Sequence, residues 1–238
     1  MSLTPRLQPS ALAGEMPRQV KPHKEAAIEL GWPGFCPRQP RLVLPIFDDS
    51  GSVSRPGGGD PVGNRYQEAQ LAFEALQEWC SCGKCLAGVL HFDTPQGDVD
   101  PGKLRSRAFQ QHLKRGLRVP RFAAGSSVLG PSLTQAEEIA ASFPKHEVRL
   151  VVLTDWQLFD TDNVLDRLHS FPGTVLAIGL NADPPSAADD DIVGLRIGHG
   201  HPPGAVARAL FGQLTVGRRG RRFVGTPARD SAAEEATA

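Results

Sequence analysis

Residues 41–52 have the sequence RLVLPIFDDSGS, a continuous apolar run followed at once by a short turn of acidic, hydroxyl and glycine residues. Apolar runs of this kind are typical of strands buried on both faces of a sheet. The run therefore predicts a strand over residues 41–47, with the turn at its carboxyl end. Open α/β sheets bind ligands at that end, in the crevice where the strand order reverses.

Apolar runs and amphipathic segments alternate along the rest of the chain. Further strands are predicted at 86–92, 148–155, 174–180 and 192–198. Helices are predicted at 64–80, 132–143, 163–171 and 204–214. Segment 93–123 is ambiguous and favours an edge strand and a short helix around 108–113. The alternation predicts a mostly parallel sheet covered on both faces, a Rossmann-like three-layer α/β/α sandwich in a single domain. In the first helix four apolar residues recur at helical spacing and are expected to face the core: Leu71, Ala75, Leu76 and Trp79.

Composition sets the domain limits and excludes some partners. We expect an irregular arm over 1–40, the α/β domain over 41–216 and a disordered, charged tail over 217–238. The chain has 26 basic and 26 acidic residues, so its net charge favours no partner, and nucleic acid is not expected. It has no apolar run long enough to cross a bilayer and no signal-peptide pattern, so we expect a cytoplasmic protein without a membrane partner.

Three short motifs carry oxygen-bearing side chains to the predicted carboxyl edge of the sheet. Asp48, Ser50 and Ser52 follow the first strand in the pattern Asp-x-Ser-x-Ser, and Asp155 ends the strand at 148–155. Between them, Ser127 lies in a small loop, GSSVLG, just before a helix. Each motif alone is weak, because Asp, Ser and Gly are common in ordinary turns and helix caps.

Taken together and in this order, the three motifs resemble the von Willebrand factor A (VWA) family and its metal-ion-dependent adhesion site (MIDAS), of the bacterial intracellular type. The resemblance covers roughly residues 41–215. It implies a six-stranded sheet of order 3-2-1-4-5-6 with one antiparallel edge strand. It also implies a single ion held by five residues: Asp48, Ser50, Ser52, Ser127 and Asp155.

The chain departs from the family pattern at two positions. Ser127 stands where the family usually has threonine, and the adjacent Ser126 is an alternative ligand. Trp156 follows Asp155, where the family usually has glycine. The bulky ring of Trp156 is a candidate partner contact at the rim of the site, as are His199 and His201 in the turn after the last predicted strand.

The donor set defines the expected chemistry. All donors are oxygen atoms, which favours Mg²⁺, or alternatively Mn²⁺ or Ca²⁺, over zinc. Two carboxylates and neutral hydroxyls leave the ion with positive character and a position open to water, which an Asp or Glu of a partner protein can take. This is binding chemistry, and we expect no enzymatic activity.

Intracellular bacterial relatives work beside AAA+ ATPases in chelatases, chaperone-like complexes or stress and phage-defence operons. The resemblance therefore implies such an ATPase, or another operon-encoded protein, as the partner. The alternative is a Mg²⁺-dependent haloacid dehalogenase-like phosphatase that uses Asp48 as its first aspartate. That family, however, places an acid where this chain has Ser50.

Four cysteines form a second candidate site: Cys36, Cys80, Cys82 and Cys85. In the implied fold the first helix ends near the start of the first strand, so the four sulfurs are expected to gather at the end of the sheet opposite Asp48. Four thiolates suit a structural zinc, which would attach the N-terminal arm to the domain. Ordinary free thiols and a redox pair remain alternatives. His91, inside an apolar strand, is interpreted as a core histidine.

Overall fold

Short runs of regular structure account for most of the described chain, which in this computed structural model comprises residues 28–54, 58–60, 64–92, 95–118, 126–160, 163–185 and 192–223. The strands are β1 (Gly31–Trp32), β2 (Arg41–Phe47), β3 (Leu86–His91), β4 (Val99–Lys103), β5 (Glu147–Thr154), β6 (Thr174–Leu180), β7 (Ile192–Ile197) and β8 (Arg222–Phe223). The helices are α1 (Gly51–Ser54), α2 (Arg65–Trp79), α3 (Arg107–Gly116), α4 (Gly130–Ser142), α5 (Val164–His169) and α6 (Ala205–Thr215).

The strands β2 to β7 form one sheet in the order β4-β3-β2-β5-β6-β7. Only the edge strand β4 is antiparallel to its neighbour, while the other pairs are parallel. If β2 is numbered 1 and the later strands follow in chain order, this order reads 3-2-1-4-5-6. The predicted topology is therefore confirmed. The chain leaves β2 towards β3 on one side and returns to β5 on the other. The strand order therefore reverses between β2 and β5.

Helices cover both faces of the sheet, because the strands are apolar on both. In β2, Val43 and Phe47 belong to one buried cluster, together with residues of α2, α3 and α6. Leu42, Leu44 and Ile46 belong to the other, together with residues of α4 and α5. The three-layer α/β/α arrangement that the sequence predicted is confirmed.

The buried face of α2 differs from the predicted one. Leu71 and Trp79 are 40% and 44% exposed, and the core-facing apolar residues of the helix are Ala69, Ala72, Phe73 and Leu76. The prediction of a stripe through Leu71 and Trp79 was therefore wrong. Trp79 instead packs edge-on against Trp32, with ring centroids 4.5 Å apart.

A buried carboxylate explains which face of α2 is turned towards the core. The side chain of Glu68 accepts hydrogen bonds from the backbone N–H groups of Gly204, Val206 and Ala207, at 2.7, 2.9 and 3.2 Å. These N–H groups begin α6 and have no partner within that helix, and an acidic group there also meets the positive end of the helix dipole. α2 thus turns its Glu68 face inward, which moves Leu71 towards solvent.

Residues on either side of the predicted domain pair with each other. β1 and β8 are antiparallel, with Gly31 opposite Phe223 and Trp32 opposite Arg222. Gly34 (φ +78°) lies so close to the carbonyl of Arg219 that a Cβ atom would be 2.8 Å from it. The domain limits at 41 and 216 stay a prediction, and residues 1–27 and 224–238 lie outside the described part.

Within the described ranges, no helix combines the length and apolar character needed to cross a bilayer.

Candidate metal site at the carboxyl end of the sheet

Asp48 lies directly after β2 and has a side chain held from two directions. It is fully buried, and its Oδ1 accepts a hydrogen bond from the backbone N–H of Ser50 at 2.8 Å, the pattern of an Asx turn. Its Oδ2 accepts a hydrogen bond from the hydroxyl of Thr154, at the end of the neighbouring strand β5, at 2.5 Å. The position of this carboxylate is therefore fixed both by its own turn and by the adjacent strand.

The two serines of the first motif lie beside each other. The chain after Asp48 enters the single turn of α1, which brings the Oγ atoms of Ser50 and Ser52 to 3.0 Å. Ser50 is buried, whereas Ser52 is exposed. The turn thus places two hydroxyl groups close to one buried carboxylate.

Asp155 reaches the same edge from β5, and Gly59 packs against it. Asp155 is 6% exposed, and its Oδ1 accepts a hydrogen bond from the N–H of Gln157 at 3.1 Å. A Cβ atom on Gly59 would lie 3.2 Å from the Cβ of Asp155 and 3.3 Å from the carbonyl oxygen of Leu180. A glycine here lets the loop after α1 pass close to the second carboxylate.

The electrostatics of this pair suit a cation. Burial raises the pKa of Asp48 above its ordinary value, and the negative charge of Asp155 raises it further. Two carboxylates that lose hydration near each other are unfavourable without a compensating charge. A divalent cation supplies that charge, and the adjacent hydroxyl oxygens complete an all-oxygen donor set. The residues present therefore fit a hard divalent ion.

The loop with Ser127 is attached to the same region by backbone contacts. Ser127 is 5% exposed, and its carbonyl accepts a hydrogen bond from the N–H of Phe159 at 2.7 Å. Ser126 is exposed. Asp160 strengthens the attachment. Its carboxylate accepts hydrogen bonds from the N–H groups of Leu129 and Gly130 at the start of α4, at 2.9 and 2.7 Å. Asp160 gives no local signal in the sequence, because the start of the helix that it caps lies 30 residues away.

Asp49, next to Asp48 in the same turn, is a further buried carboxylate. It was not among the residues predicted from the sequence. Asp49 is fully buried; the hydroxyl of Tyr66 donates a hydrogen bond to it, and Nδ1 of His91 lies 2.7 Å from its Oδ2. The other ring nitrogen of His91 lies 2.8 Å from the carbonyl of Gly116. The interpretation of His91 as a core histidine is confirmed. Its place inside an apolar strand indicated a buried partner, but not which one.

Arg65 connects this network to the backbone of the metal turn. Its Nη2 donates to the carbonyl of Asp48 at 3.0 Å and to the hydroxyl of Ser54 at 2.9 Å, and it lies 3.5 Å from Asp49. Its Nη1 forms an ion pair with Asp60 at 3.0 Å. A single buried guanidinium therefore holds the turn, α1 and the start of α2 together.

Trp156 has a left-handed backbone conformation, with φ at 58°. Bulky residues seldom adopt this conformation, which glycine adopts without steric cost. Its N–H donates to the hydroxyl of Thr154 at 3.1 Å, and its indole Nε1 is buried with no hydrogen-bond partner among the described residues. Nearby, Phe159 is 72% exposed. In the loop after Asp155, Phe159 is thus exposed to solvent, whereas Trp156 packs partly buried against the core.

His199 and His201 lie in the turn that follows β7. His199 is exposed, and Nδ1 of His201 accepts the N–H of Gly198 at 3.1 Å. β6 separates β7 from β5, so two interstrand spacings, roughly 10 Å, lie between the end of β7 and the end of β5. The histidines share the carboxyl edge of the sheet with Asp155 but stand to the side of it. Their role as partner contacts stays a prediction.

The four cysteines lie at the opposite end of the sheet. Cys36 precedes β2, Cys80 directly follows α2 as its C-cap, and Cys82 and Cys85 precede β3. Cys36, Cys80 and Cys82 place their sulfurs close enough together to hold a metal ion. This confirms the expected gathering of the cysteines away from Asp48.

Comparison with known proteins identifies the fold. No family model and no curated protein sequence matches the chain. Among solved structures, it is similar to the open conformation of the pilus adhesin SpaC from Lactobacillus rhamnosus GG, with 15% identity and a TM-score of 0.54 over 76% of this chain and 30% of that one. It is also similar to a von Willebrand factor type A structure from Catenulispora acidiphila, with 15% identity and a TM-score of 0.52 over 79% and 48% of the two chains. The chain spans less than half of either structure, and the likeness is one of fold.

Proposed function

We propose that this chain, which has the fold of von Willebrand factor A domains, is a protein-binding module that holds an acidic side chain of its partner through a divalent cation. The observation that carries the proposal is the pair of buried carboxylates, Asp48 and Asp155, at the ends of neighbouring strands where the strand order reverses. Ser50 and Ser52 add two hydroxyl groups to the same turn.

Mg²⁺ is the proposed ion. Mn²⁺ and Ca²⁺ are alternatives, because they also prefer oxygen ligands. Five residues would hold it: Asp48, Ser50, Ser52, Ser127 and Asp155. Bound there, the ion supplies a positive centre that can accept one further carboxylate oxygen from outside the chain. The protein's own part is to keep the donors fixed: Thr154 orients Asp48, and Gly59 leaves room for Asp155.

The surface around the site suits a protein partner. Phe159 is 72% exposed in the loop after Asp155, and exposed aromatic side chains are enriched where proteins bind each other. Trp156 lies on the same loop and His199 on the same edge of the sheet, so both belong to the proposed contact rim. A partner segment that fits this surface has an acidic residue for the cation and apolar neighbours for the aromatic side chain. A cytoplasmic AAA+ ATPase or an operon-encoded protein in a stress or phage-defence complex is the proposed source.

Metal titration tests the site without knowledge of the partner. We expect Mn²⁺ to bind the wild-type chain in isothermal titration calorimetry, and Asp155→Asn to abolish the heat. The matched control is Asp100→Asn, an exposed acid on the edge strand β4, which β3 separates from β2. Unchanged Mn²⁺ binding by Asp48→Asn and Asp155→Asn would contradict the proposed ligand set.

Partner capture tests the function. Wild-type protein on beads should retain a specific protein in Mg²⁺ and release it in EDTA, while the Asp155→Asn beads retain none under either condition. The captured protein, identified by mass spectrometry, should lose binding when its acidic residues are substituted one at a time. Retention that is unaffected by both EDTA and Asp155→Asn would show that binding does not use the ion.

The phosphatase alternative makes a different prediction. It requires Mg²⁺-dependent phosphate release that Asp48→Asn abolishes and Ser52→Ala leaves intact. We favour the binding function because the position two residues after Asp48, where the phosphatase family places its acid, is a serine whose Oγ lies 3.0 Å from that of Ser52. Turnover of p-nitrophenyl phosphate with that mutational pattern would favour the phosphatase.

A further inference from the structure

The cysteine cluster at the amino end of the sheet joins three separate segments of chain. Neighbouring sulfurs lie 3.8 Å apart for Cys36 and Cys80, 3.7 Å for Cys80 and Cys82, and 3.6 Å for Cys82 and Cys85. Cys36, Cys80 and Cys82 all have their sulfurs within 4.8 Å of one another. All four residues are free cysteines. The four thiols therefore form one compact group at this end of the sheet.

Three of the six sulfur–sulfur spacings, those given above, match the edges of a thiolate–zinc tetrahedron. Sulfur atoms about 2.3 Å from a central zinc, at the corners of a tetrahedron, lie about 3.8 Å from each other. The three sulfur pairs above differ from that edge by no more than 0.2 Å. Sulfurs in a closed, four-coordinate arrangement are typical of structural zinc sites, since catalytic zinc sites keep a position open.

The backbone of the cluster is also arranged for thiolate sulfurs. The N–H of Cys82 donates to Sγ of Cys36 at 3.3 Å, and the N–H of Lys84 donates to Sγ of Cys82 at 3.5 Å. Gly83 has a positive φ of 62°, which allows the tight turn between Cys82 and Cys85. Donation of N–H groups to sulfur stabilises the negative charge that a metal-bound thiolate carries.

Buried positive charge lies at the same end of the sheet. Arg41, Arg149 and Arg218 are only 5–6% exposed, and Glu147 is the acid that pairs with the first two. Within the described residues, Nε and Nη1 of Arg218 have no hydrogen-bond partner. Zinc with four thiolates has a net charge of −2, which buried guanidinium groups can balance.

We propose that Cys36, Cys80, Cys82 and Cys85 bind one structural zinc ion, which ties the segment before β2 to the end of α2 and the start of β3. The four thiols lose their protons as the metal binds. Cys36 lies between β1 and β2, so the ion fixes the segment that brings β1 to β8. This site is separate from the oxygen-donor site and independent of its function.

Metal analysis of the whole purified chain tests the proposal. After an EDTA wash that empties a weak oxygen site, inductively coupled plasma mass spectrometry should find about one zinc per chain in the wild type and less than about 0.1 in Cys82→Ser. Lys84→Ala, an exposed residue between two of the ligands whose backbone N–H still donates to Cys82, is the matched control and should keep its zinc. Asp155→Asn should also keep it, which assigns the zinc to the cysteines. Zinc retained in Cys82→Ser, or iron in its place, would overturn the proposal.

Cobalt exchange tests the coordination without any substitution, in case the cysteine variants do not fold. Wild-type protein loaded with Co²⁺ should show intense thiolate-to-cobalt charge-transfer bands and the visible bands of a tetrahedral site. A weak spectrum, typical of octahedral oxygen coordination, would overturn the proposal. So would a cysteine disulfide found in the intact protein by mass spectrometry under non-reducing conditions.

Hydrogen exchange tests the role of the ion. Removal of zinc with a strong chelator should speed amide exchange in residues 28–40 by about tenfold or more, because these residues lose their attachment. Exchange in α4, on the other face of the sheet, should change little. Equal exchange in residues 28–40 with and without zinc would contradict the attaching role.

Discussion

The hydroxyl of Thr154 donates a 2.5 Å hydrogen bond to Oδ2 of Asp48, which joins two residues that lie 106 positions apart in the chain. Both residues are fully buried. The bond crosses from β5 to the end of β2, where the strand order reverses. One carboxylate oxygen of the candidate metal site is thus oriented by a residue that is itself not a proposed ligand.

Thr154→Val should weaken metal binding although it removes no ligand. The substitution keeps the shape of the side chain but removes the donor to Asp48 and the acceptor for the N–H of Trp156. Partners that orient a metal ligand typically contribute about tenfold or more to affinity. We therefore expect a rise of about tenfold in the Kd for Mn²⁺, measured by calorimetry. Thr154→Ser, which keeps the hydroxyl, should bind nearly as the wild type does, and equal affinity of the valine variant would refute the orienting role.

Gly59→Ala should also impair the site without changing a donor. The new Cβ atom would lie 3.2 Å from the Cβ of Asp155 and 3.6 Å from its Oδ2, so the carboxylate has to move by a few tenths of an ångström. Metal–ligand distances tolerate only about 0.2 Å. We expect the Kd for Mn²⁺ to rise by about three- to tenfold. Gly198→Ala, whose added Cβ would meet only Oδ1 of Asn181 at 3.7 Å and Nδ1 of His201 at 4.0 Å, is the control. Similar affinity for Gly59→Ala and the wild type would argue against a close fit.

Asp49→Ala should destabilise the fold strongly. Asp49 is fully buried and paired with His91 and Arg65, so its removal leaves those polar groups buried without their partner. Breaking a buried charged pair typically costs about 3–5 kcal/mol. The free energy of unfolding, measured with urea, should fall by about that amount. Asp183→Ala, which breaks the exposed pair with Arg196, should change it by less than about 0.5 kcal/mol, and a similarly small effect at Asp49 would show that the network adds little.

Asp98→Asn should raise stability at neutral pH but not at acidic pH. Burial raises the pKa of Asp98 to about 6, so the folded chain holds this proton more tightly than the unfolded chain does. The resulting stabilisation is complete below the ordinary pKa of an aspartate, about 4, and is lost as the pH rises through about 6. The amide stays neutral and can still accept the N–H of His91.

Urea unfolding of both proteins at several pH values checks the sign. The free energy of unfolding of Asp98→Asn minus that of the wild type should increase by about 1–2 kcal/mol from pH 4 to pH 7, allowing for partial solvent screening. A difference that stays constant across this range would show that Asp98 titrates normally.

The sequence determined the sheet and the main parts of the candidate site. Its apolar runs define β2, β3, β5 and β6 to within a residue, because a strand covered on both faces has no polar position to interrupt the pattern. The strand order, which places Asp48 and Asp155 at neighbouring strand ends, was implied by the family that the three motifs resemble. The strands themselves follow from residues close together in the chain.

Only the tertiary structure decided how the buried polar groups are paired. The face that α2 turns towards the core depends on hydrogen bonds between Glu68 and the start of α6. These residues lie 136 or more positions apart in the chain. Asp49, Asp160 and Thr154 likewise find their partners across the fold. A buried charge is stable only with a partner, and the fold decides which distant residue provides it. The local pattern of a sequence can thus place a strand, whereas the partner of a buried carboxylate is fixed when helices and strands pack.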